Sequence, residues 1–234
     1  MQTITIAHRG AAFQAPENTM AAFRLAQELG MQWLEFDVQL SADGVPVVIH
    51  DASVDRTTDE SGLVAEYSYS ELRELDAGSW FANEFSAEKI PSLQKMVMFL
   101  QKNKLNANIE IKDPTATEIT CNLLKKMHFD FANNLISSFS SEVITAARKL
   151  LPQANLSIAV EIENPTDWQN RKAEYQKIIT ENQCYGLVIN LKALKSLGKA
   201  AFELGQQQLF CYTAQDEETA EWCLQQGVSV FRDI

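Results

Sequence analysis

Residues 33–50, WLEFDVQLSADGVPVVIH, begin with an apolar strand that carries two carboxylates. Side chains alternate between the two faces of a strand, so Glu35 and Asp37 lie on the same face. Carboxylates on an inward face are too costly to bury unless they meet a metal ion or cationic partners. Burial of the same carboxylates on a face that packs against a helix would cost just as much free energy. This strand therefore predicts a polar site inside the fold.

The second half of this stretch returns the chain to the same strand. Asp43-Gly44 between two apolar runs is typical of a hairpin turn. A turn centred there brings His50 opposite Glu35 or Phe36, one step from Asp37. The local fold alone therefore predicts a histidine beside the carboxylates.

Short apolar segments alternate with amphipathic helical patterns along the whole chain, which favours an α/β fold and, more specifically, a (β/α)8 TIM barrel. An open doubly wound sheet is the alternative, but its first turn is glycine-rich, whereas residues 8–12 here contain a single glycine. We expect a single domain over residues 1–234, with segment 51–91 as a small insertion after the second strand. Because the sequence ends directly after the last strand, we expect the usual closing helix to be short, missing or supplied from elsewhere. The predicted strands are Thr3–His8, Trp33–Val38, Ala107–Lys112, Leu135–Phe139, Leu156–Glu161, Gly186–Asn190, Gln208–Tyr212 and Val228–Arg232.

Composition narrows the class of protein. The 234 residues carry a net charge of −11, which disfavours binding to nucleic acid or to an anionic membrane surface. No apolar run approaches the roughly 20 residues that a membrane-spanning helix needs, so no stable membrane insertion is expected. The start of the chain does not resemble a secretory signal, and the four cysteines are widely scattered. Both features predict a cytoplasmic protein.

Charged residues follow two further strands. His8-Arg9-Gly10 ends the first strand, and Glu110-Ile111-Lys112 ends the third. In a barrel these carboxyl ends meet at the active-site face, so we expect these groups to join Glu35, Asp37 and His50. Three carboxylates suit a hard divalent cation better than zinc, while an arginine and a lysine bind an anion. The set predicts phosphoryl transfer or phosphate-ester hydrolysis, although the carboxylates could instead form ion pairs with the two cations and bind no metal.

An ordered series of motifs resembles the glycerophosphodiester phosphodiesterase family, of the bacterial cytosolic type, over almost the whole chain. The series comprises His8-Arg9-Gly10, Ala15-Pro16-Glu17-Asn18-Thr19, Glu35-x-Asp37, Asp43-Gly44, His50-Asp51, Asp55-Arg56-Thr57-Thr58, Gly78-Ser79-Trp80-Phe81, Ile90-Pro91-Ser92-Leu93, Glu110-Ile111-Lys112 and Ser138-Phe139.

The resemblance implies a (β/α)8 barrel in which segment 51–91 is the family's small insertion. It implies Glu35, Asp37 and Glu110 as metal ligands. It also implies that His8 and His50 form the acid/base pair. Arg9 and Lys112 would then bind the substrate phosphate. We interpret Glu17-Asn18-Thr19 mainly as a helix cap.

Two departures from the family pattern occur near the end of the chain. Tyr212-Thr213-Ala214-Gln215 stands where the family commonly has Trp-Thr-x-Asn, and Arg232-Asp233 stands where it usually has Thr-Asp. Tyr212 and Phe139 are candidates for substrate contact at the mouth of the barrel, as are Phe13, Trp80 and Phe81. We expect these differences to affect substrate preference rather than the core chemistry.

The predicted function is metal-dependent hydrolysis of glycerophosphodiesters to glycerol 3-phosphate and an alcohol. The expected cofactor is one divalent cation, Mg²⁺ or Ca²⁺, with Mn²⁺ as a further candidate, and the expected partner is a small-molecule substrate. One alternative is action on lysophospholipids or sphingolipids in the manner of a phospholipase D. The other is a non-catalytic barrel that binds phosphodiesters or a partner.

Overall fold

A closed barrel of eight parallel strands forms the centre of the computed structural model, which describes residues 3–234. Residues 3–234 contain nine strands, which are β1 (Thr5–Ala7), β2 (Trp33–Leu40), β3 (Pro46–Val48), β4 (Asn106–Ile111), β5 (Leu135–Ser138), β6 (Asn155–Val160), β7 (Gly186–Asn190), β8 (Gln208–Ala214) and β9 (Ser229–Arg232). Eight of them form the barrel, while β3 pairs antiparallel with β2 outside the ring. The order of the strands around the barrel is β1-β9-β8-β7-β6-β5-β4-β2, and pairing of β1 with β2 closes the ring. The TIM-barrel prediction is confirmed, and the barrel strands begin and end within two residues of the predicted segments.

Helices alternate with the barrel strands and pack around the outside, apart from the short helix Tyr69–Leu72, which lies in segment 51–91. They are α1 (Met20–Glu28), α2 (Tyr69–Leu72), α3 (Leu93–Asn103), α4 (Thr117–Lys126), α5 (Ser141–Leu150), α6 (Pro165–Glu181), α7 (Leu191–Leu197) and α8 (Glu217–Gln225). Short 3₁₀ turns occupy Val64–Glu66, Asn83–Phe85, Pro114–Ala116 and Lys199–Phe202. None of the helices in residues 3–234 has the length and apolar character needed to cross a membrane.

The alternation of side chains on β2 decides which residues face the barrel interior. Leu34, Phe36 and Val38 are fully buried in the layer between strands and helices, where the Phe36 ring meets Phe23 of α1 edge-on at 5.9 Å. Burial of each large apolar side chain contributes about 1.5–3 kcal/mol. A slip of one residue would reverse every side chain, so this packing fixes Glu35 and Asp37 inward.

The predicted hairpin is confirmed. β3 pairs antiparallel with β2 through Val38↔Val48, Gln39↔Val47 and Leu40↔Pro46, a register that would bring His50 opposite Phe36 if it continued past the end of β3. The Ile49 N–H donates to the Asp37 carbonyl oxygen at 3.1 Å. His50 therefore returns to the carboxylate strand as the sequence predicted.

Segment 51–91 connects β3 to α3 and packs against the end of the hairpin around a second, small apolar cluster. The cluster contains Val47, Ile49, Val54, Val64, Leu72, Leu75, Ala77 and Ile90. Backbone hydrogen bonds join the segment to the hairpin, since Ala42 N–H donates to Tyr67 O and Val48 N–H to Pro91 O, both at 2.8 Å. The segment therefore stands beside the strand end that carries His50.

Gly10, in the loop after β1, lies against helix α1. Its φ is +85°, and a Cβ atom at this position would lie 2.8 Å from the backbone carbonyl carbon and the Cβ of Ala22. We expect Gly10→Ala to lower the free energy of unfolding by about 2–5 kcal/mol, because it adds overpacking to a left-handed backbone. Urea denaturation followed by tryptophan fluorescence measures this.

Gly30 offers the matched control, because its φ of +86° is nearly the same and a methyl group added there would have no neighbouring atom within 4 Å. Gly30→Ala should therefore cost only about 1–2 kcal/mol. Equal losses for the two variants would show that α1 does not press against the loop at Gly10.

Candidate active site

One cavity opens at the carboxyl end of the barrel, and nine of the twelve side chains that the sequence predicted for the site line it. Its lining comprises His8, Arg9, Glu35, Asp37, His50, Glu110, Lys112, Phe139, Val188, Tyr212 and Phe231. The rim candidates Phe13, Trp80 and Phe81 are not part of this lining.

The three carboxylates of the cavity lie together. Asp37 and Glu110 are register partners on β2 and β4, and Glu35 projects from the same face of β2. One oxygen from each carboxylate lies within 4.8 Å of the others. Burial, and next the charge of Asp37, raise the pKa of both Glu35 and Glu110 above the ordinary value. Burial acts in the same direction on Asp37, but Lys112 and Arg9 outweigh it and hold its pKa below the ordinary value.

These three residues fit a divalent cation. Three buried or half-buried carboxylates at this separation repel one another, and a doubly charged ion among them would relieve the repulsion. An all-oxygen donor set matches the preference of Mg²⁺, Ca²⁺ and Mn²⁺.

The loop after β1 fixes two of the carboxylates by hydrogen bonds. Arg9 and Asn18 both have left-handed backbones, with φ of 55° and 59°. The Arg9 N–H donates to Glu35 Oε2 at 2.9 Å, and Asn18 Nδ2 donates to Asp37 Oδ2 at 2.9 Å. Left-handed conformations cost energy in non-glycine residues and persist where the surrounding contacts determine them, as these do.

Two cations flank the carboxylates. Arg9 Nε lies 3.4 Å from Asp37 Oδ2, and Lys112 Nζ lies 3.5 Å from Asp37 Oδ1 and 2.6 Å from Glu110 Oε1. Burial acts to lower the pKa of each cation, but Asp37 and the neighbouring carboxylates outweigh it and raise both values. Both groups therefore stay charged and suit an anionic ligand.

Each histidine of the cavity is held by an aspartate. His8 Nδ1 lies 2.7 Å from Asp233 Oδ1, and His50 Nδ1 lies 2.6 Å from Asp51 Oδ1. An ionised carboxylate only accepts hydrogen bonds, so Nδ1 carries a proton in both rings. The Nε2 atom of each ring is left to exchange a proton, and that of His8 lies 4.0 Å from Glu35 Oε2.

Aromatic side chains form another part of the cavity wall. Phe139 and Tyr212 meet edge-on with ring centroids 5.7 Å apart, and Lys112 Nζ lies 5.7 Å from the centre of the Phe139 ring. Phe139 is 43% exposed, so part of this wall faces the cavity opening. The wall offers an apolar surface beside the charged groups.

The helix-cap interpretation of Glu17-Asn18-Thr19 is wrong for two of its three residues. Thr19 does cap α1, since its Oγ1 accepts from the Ala22 N–H at 3.3 Å. Asn18 instead binds Asp37, and Glu17 Oε1 accepts from Arg9 Nη1 at 2.8 Å. Two side chains ahead of the cap therefore serve the cavity. Their position on the loop that starts with His8-Arg9-Gly10 was the available signal.

Comparison with known proteins gives one family. The model of the glycerophosphoryl diester phosphodiesterase family matches residues 8–231. A glycerophosphodiester phosphodiesterase of Caldanaerobacter subterraneus is 39% identical over 163 residues, which are 68% of this chain and 67% of that protein. Human glycerophosphodiester phosphodiesterase 1 is 38% identical over 152 residues, which are 62% of this chain but only 45% of the human protein.

Solved structures agree with this fold. The Oleispira antarctica phosphodiesterase, determined in complex with its product sn-glycerol-3-phosphate, is 33% identical and superposes with a TM-score of 0.84, covering 99% of this chain and 93% of that one. A glycerophosphodiester phosphodiesterase from Agrobacterium tumefaciens is 27% identical with a TM-score of 0.81, covering 99% and 96% of the two chains. On the family match over residues 8–231, the chain belongs to the glycerophosphoryl diester phosphodiesterase family.

Proposed function

We propose that this chain hydrolyses glycerophosphodiesters to glycerol 3-phosphate and a free alcohol with the help of one divalent cation, Mg²⁺, Ca²⁺ or Mn²⁺. The observation that carries the proposal is the convergence of three carboxylates, two cations and two aspartate-held histidines on one cavity. The glycerol 3-phosphate bound by the 33% identical Oleispira enzyme supports the substrate class. We further propose a single catalytic domain over residues 1–234, with 51–91 as an insertion. The four buried free cysteines support a cytoplasmic location.

Glu35, Asp37 and Glu110 would hold the cation. When bound, a divalent ion there supplies positive charge to a phosphoryl oxygen and lowers the pKa of an attacking hydroxyl. Arg9 and Lys112 bind the substrate phosphate, the first through a planar fork of donors and the second as a point charge. The Arg9 and Lys112 side chains lie beside the three carboxylates, so they hold the substrate phosphate next to the proposed metal site.

His8 and His50 move protons at their Nε2 atoms. One ring takes the proton of the nucleophile, and the other protonates the leaving alkoxide, with the two roles not assigned to individual rings. The nucleophile is either water or the glycerol 2-hydroxyl, which would give a cyclic phosphate that water then opens. Asp233 and Asp51 keep the Nδ1 proton in place and fix the ring orientation. Phe139 and Tyr212 contact the carbon atoms of the substrate.

The assay that tests this proposal measures release of glycerol 3-phosphate from a panel of glycerophosphodiesters after EDTA treatment. We expect no turnover in EDTA, and recovery when Mg²⁺, Ca²⁺ or Mn²⁺ is added back in excess. A lysophospholipid belongs in the same panel as the alternative substrate. An Asp37→Asn protein purified in parallel controls for a contaminating phosphodiesterase.

Three results would contradict the proposal. Full turnover in EDTA would remove the cation from the reaction. Turnover of the lysophospholipid alone would favour the phospholipase D-like alternative. Cation binding without turnover of any diester would favour a non-catalytic barrel.

A further inference from the structure

Arg56, in segment 51–91, binds carboxylates from two separate parts of the chain. Its Nη1 and Nη2 donate to the two carboxylate oxygens of Glu17 at 2.8 Å each. Its Nε donates to Asp51 Oδ2 at 2.7 Å, and Nη2 donates to Asp51 Oδ1 at 3.2 Å. The planar guanidinium group therefore hydrogen-bonds to two carboxylates at once. A lysine ammonium group cannot make the same set of hydrogen bonds with the same geometry.

Each of these carboxylates has a second partner that lines the cavity. Asp51 Oδ1 accepts from His50 Nδ1 at 2.6 Å, and Glu17 Oε1 accepts from Arg9 Nη1 at 2.8 Å. Arg56 itself is not part of the cavity lining, and its side chain is 44% exposed. It thus connects a proposed proton-transfer group to a proposed phosphate-binding group without reaching the substrate.

We propose that Arg56 is a positioning residue, which holds His50 and Arg9 in one fixed arrangement through Asp51 and Glu17. This inference rests on the proposed function, because it assigns Arg56 to the same reaction.

The charge state of the two carboxylates supports this role. Hydrogen bonds from Arg56, aided by one from His50, hold the pKa of Asp51 far below its ordinary value. Burial acts to raise the pKa of Glu17, but Arg56 and Arg9 outweigh it and lower the value. Both groups are therefore ionised acceptors, and Asp51 keeps the proton of the His50 ring on Nδ1.

A second ion pair ties the same segment to the barrel and provides a matched control. Arg24 of α1 donates through Nη2 to Glu88 Oε1 at 2.9 Å, and Glu88 Oε2 accepts the Ala21 N–H at 3.0 Å. The Arg24 side chain is 52% exposed, close to the value for Arg56. Neither Arg24 nor Glu88 lines the cavity, so loss of this pair changes the docking of the segment alone.

The kinetic test compares Arg56→Ala, Arg56→Lys and Arg24→Ala on a glycerophosphodiester that the wild type hydrolyses. We expect Arg56→Ala to lower kcat by about 10–100-fold, because small displacements of reacting groups have effects of this size. Arg56→Lys should recover only part of the loss, and added guanidinium ion should partly rescue Arg56→Ala. Arg24→Ala should stay within about twofold of the wild type, as expected for an exposed ion pair.

A second readout needs no turnover. The chain has only three histidines, so ¹⁵N NMR of the imidazole groups can be assigned with His8→Gln and His128→Gln variants. We expect the neutral His50 ring to carry its proton on Nδ1 in the wild type and in Arg24→Ala, and to become a mixture of tautomers in Arg56→Ala. Should Arg56→Ala fail to fold, Arg56→Lys gives the same comparison with a smaller shift.

The two readouts separate the inference from the proposed function. If the wild type releases no glycerol 3-phosphate from any diester, the proposed function fails and the NMR comparison still decides whether Arg56 holds His50. If His50 signals and kcat in Arg56→Ala match those of Arg24→Ala, Arg56 only docks the segment and the inference is overturned. Rescue of Arg24→Ala by guanidinium to the same extent would overturn it as well.

Discussion

Replacing His8 or His50 with alanine should lower kcat by about a hundredfold or more in each case, because proton transfer by a positioned side chain contributes at least that factor. In the proposed mechanism the two rings would act on different protons, the nucleophile's and the leaving group's, so neither would replace the other. Both side chains are partly exposed, at 18% and 29%, so their removal leaves no buried cavity and the barrel should stay folded. Steady-state kinetics with circular dichroism on the same samples measure both expectations.

His128 provides the control for these substitutions. It follows α4 in a left-handed conformation, with φ of 53°, which asparagine tolerates better than most residues. It is not part of the cavity lining, so His128→Asn should keep wild-type kcat. Near-normal turnover in His8→Ala or His50→Ala would remove that ring from proton transfer. Restoration of kcat by added imidazole in one of these variants would support the assigned role.

The arrangement of the carboxylates could be predicted because it depends on local rules. Strand alternation decides that Glu35 and Asp37 share a face, and the Asp43-Gly44 turn decides the register that returns His50 to β2. The position of Glu110 required one further step, the pairing of parallel strands β2 and β4, which barrel topology supplies. Each of these inferences uses residues that are neighbours in sequence or on adjacent strands.

The aspartate that hydrogen-bonds to His8 could not be predicted from local rules. Asp233 is 225 residues from His8, and their contact exists only because β1 and β9 pair to close the barrel. The last residues are held there by backbone hydrogen bonds, from the Asp233 N–H to Ala214 O and from the Phe13 N–H to Ile234 O. Asp233 was visible in the sequence only as part of an unusual strand end. Its role depends on closure geometry, which residue spacing does not contain.

The network around Arg56 depends on tertiary structure in the same way. Glu17 is 39 residues from Arg56, and the two meet because segment 51–91 folds over the loop that follows β1. Asp51 was closer to a readable signal, since it directly follows His50, but adjacent residues on an extended chain ordinarily point apart. Here β3 ends at Val48, so the alternation rule does not apply to residues 50 and 51. The His50 and Asp51 side chains therefore point the same way and hydrogen-bond to each other.

Asp37→Asn should weaken binding of Mg²⁺, Ca²⁺ or Mn²⁺ by about a hundredfold or more, because it removes a charged ligand atom from a small site. Loss of a direct ligand should cost more than loss of a residue that only hydrogen-bonds to a ligand. Asp37 is the carboxylate that both flanking cations approach, so it also balances their charge. Calorimetric titration of EDTA-treated, dialysed protein measures the affinity without requiring turnover. Asp43→Asn, in the turn of the same hairpin, removes an equal charge away from the cavity and should leave the affinity unchanged.

The same titration decides between two roles for Asp37. If it ligates the cation, affinity falls in Asp37→Asn while Arg9 stays paired with Glu17 and Lys112 stays paired with Glu110. If it serves only as the ion-pair partner of those two residues, its loss should leave cation affinity near the wild-type value and reduce stability instead, because two half-buried cations would lose a neutralising neighbour. Urea denaturation of the metal-free protein gives that second quantity. A large loss of affinity with a small loss of stability assigns Asp37 to the metal, and the reverse pattern assigns it to the ion pairs.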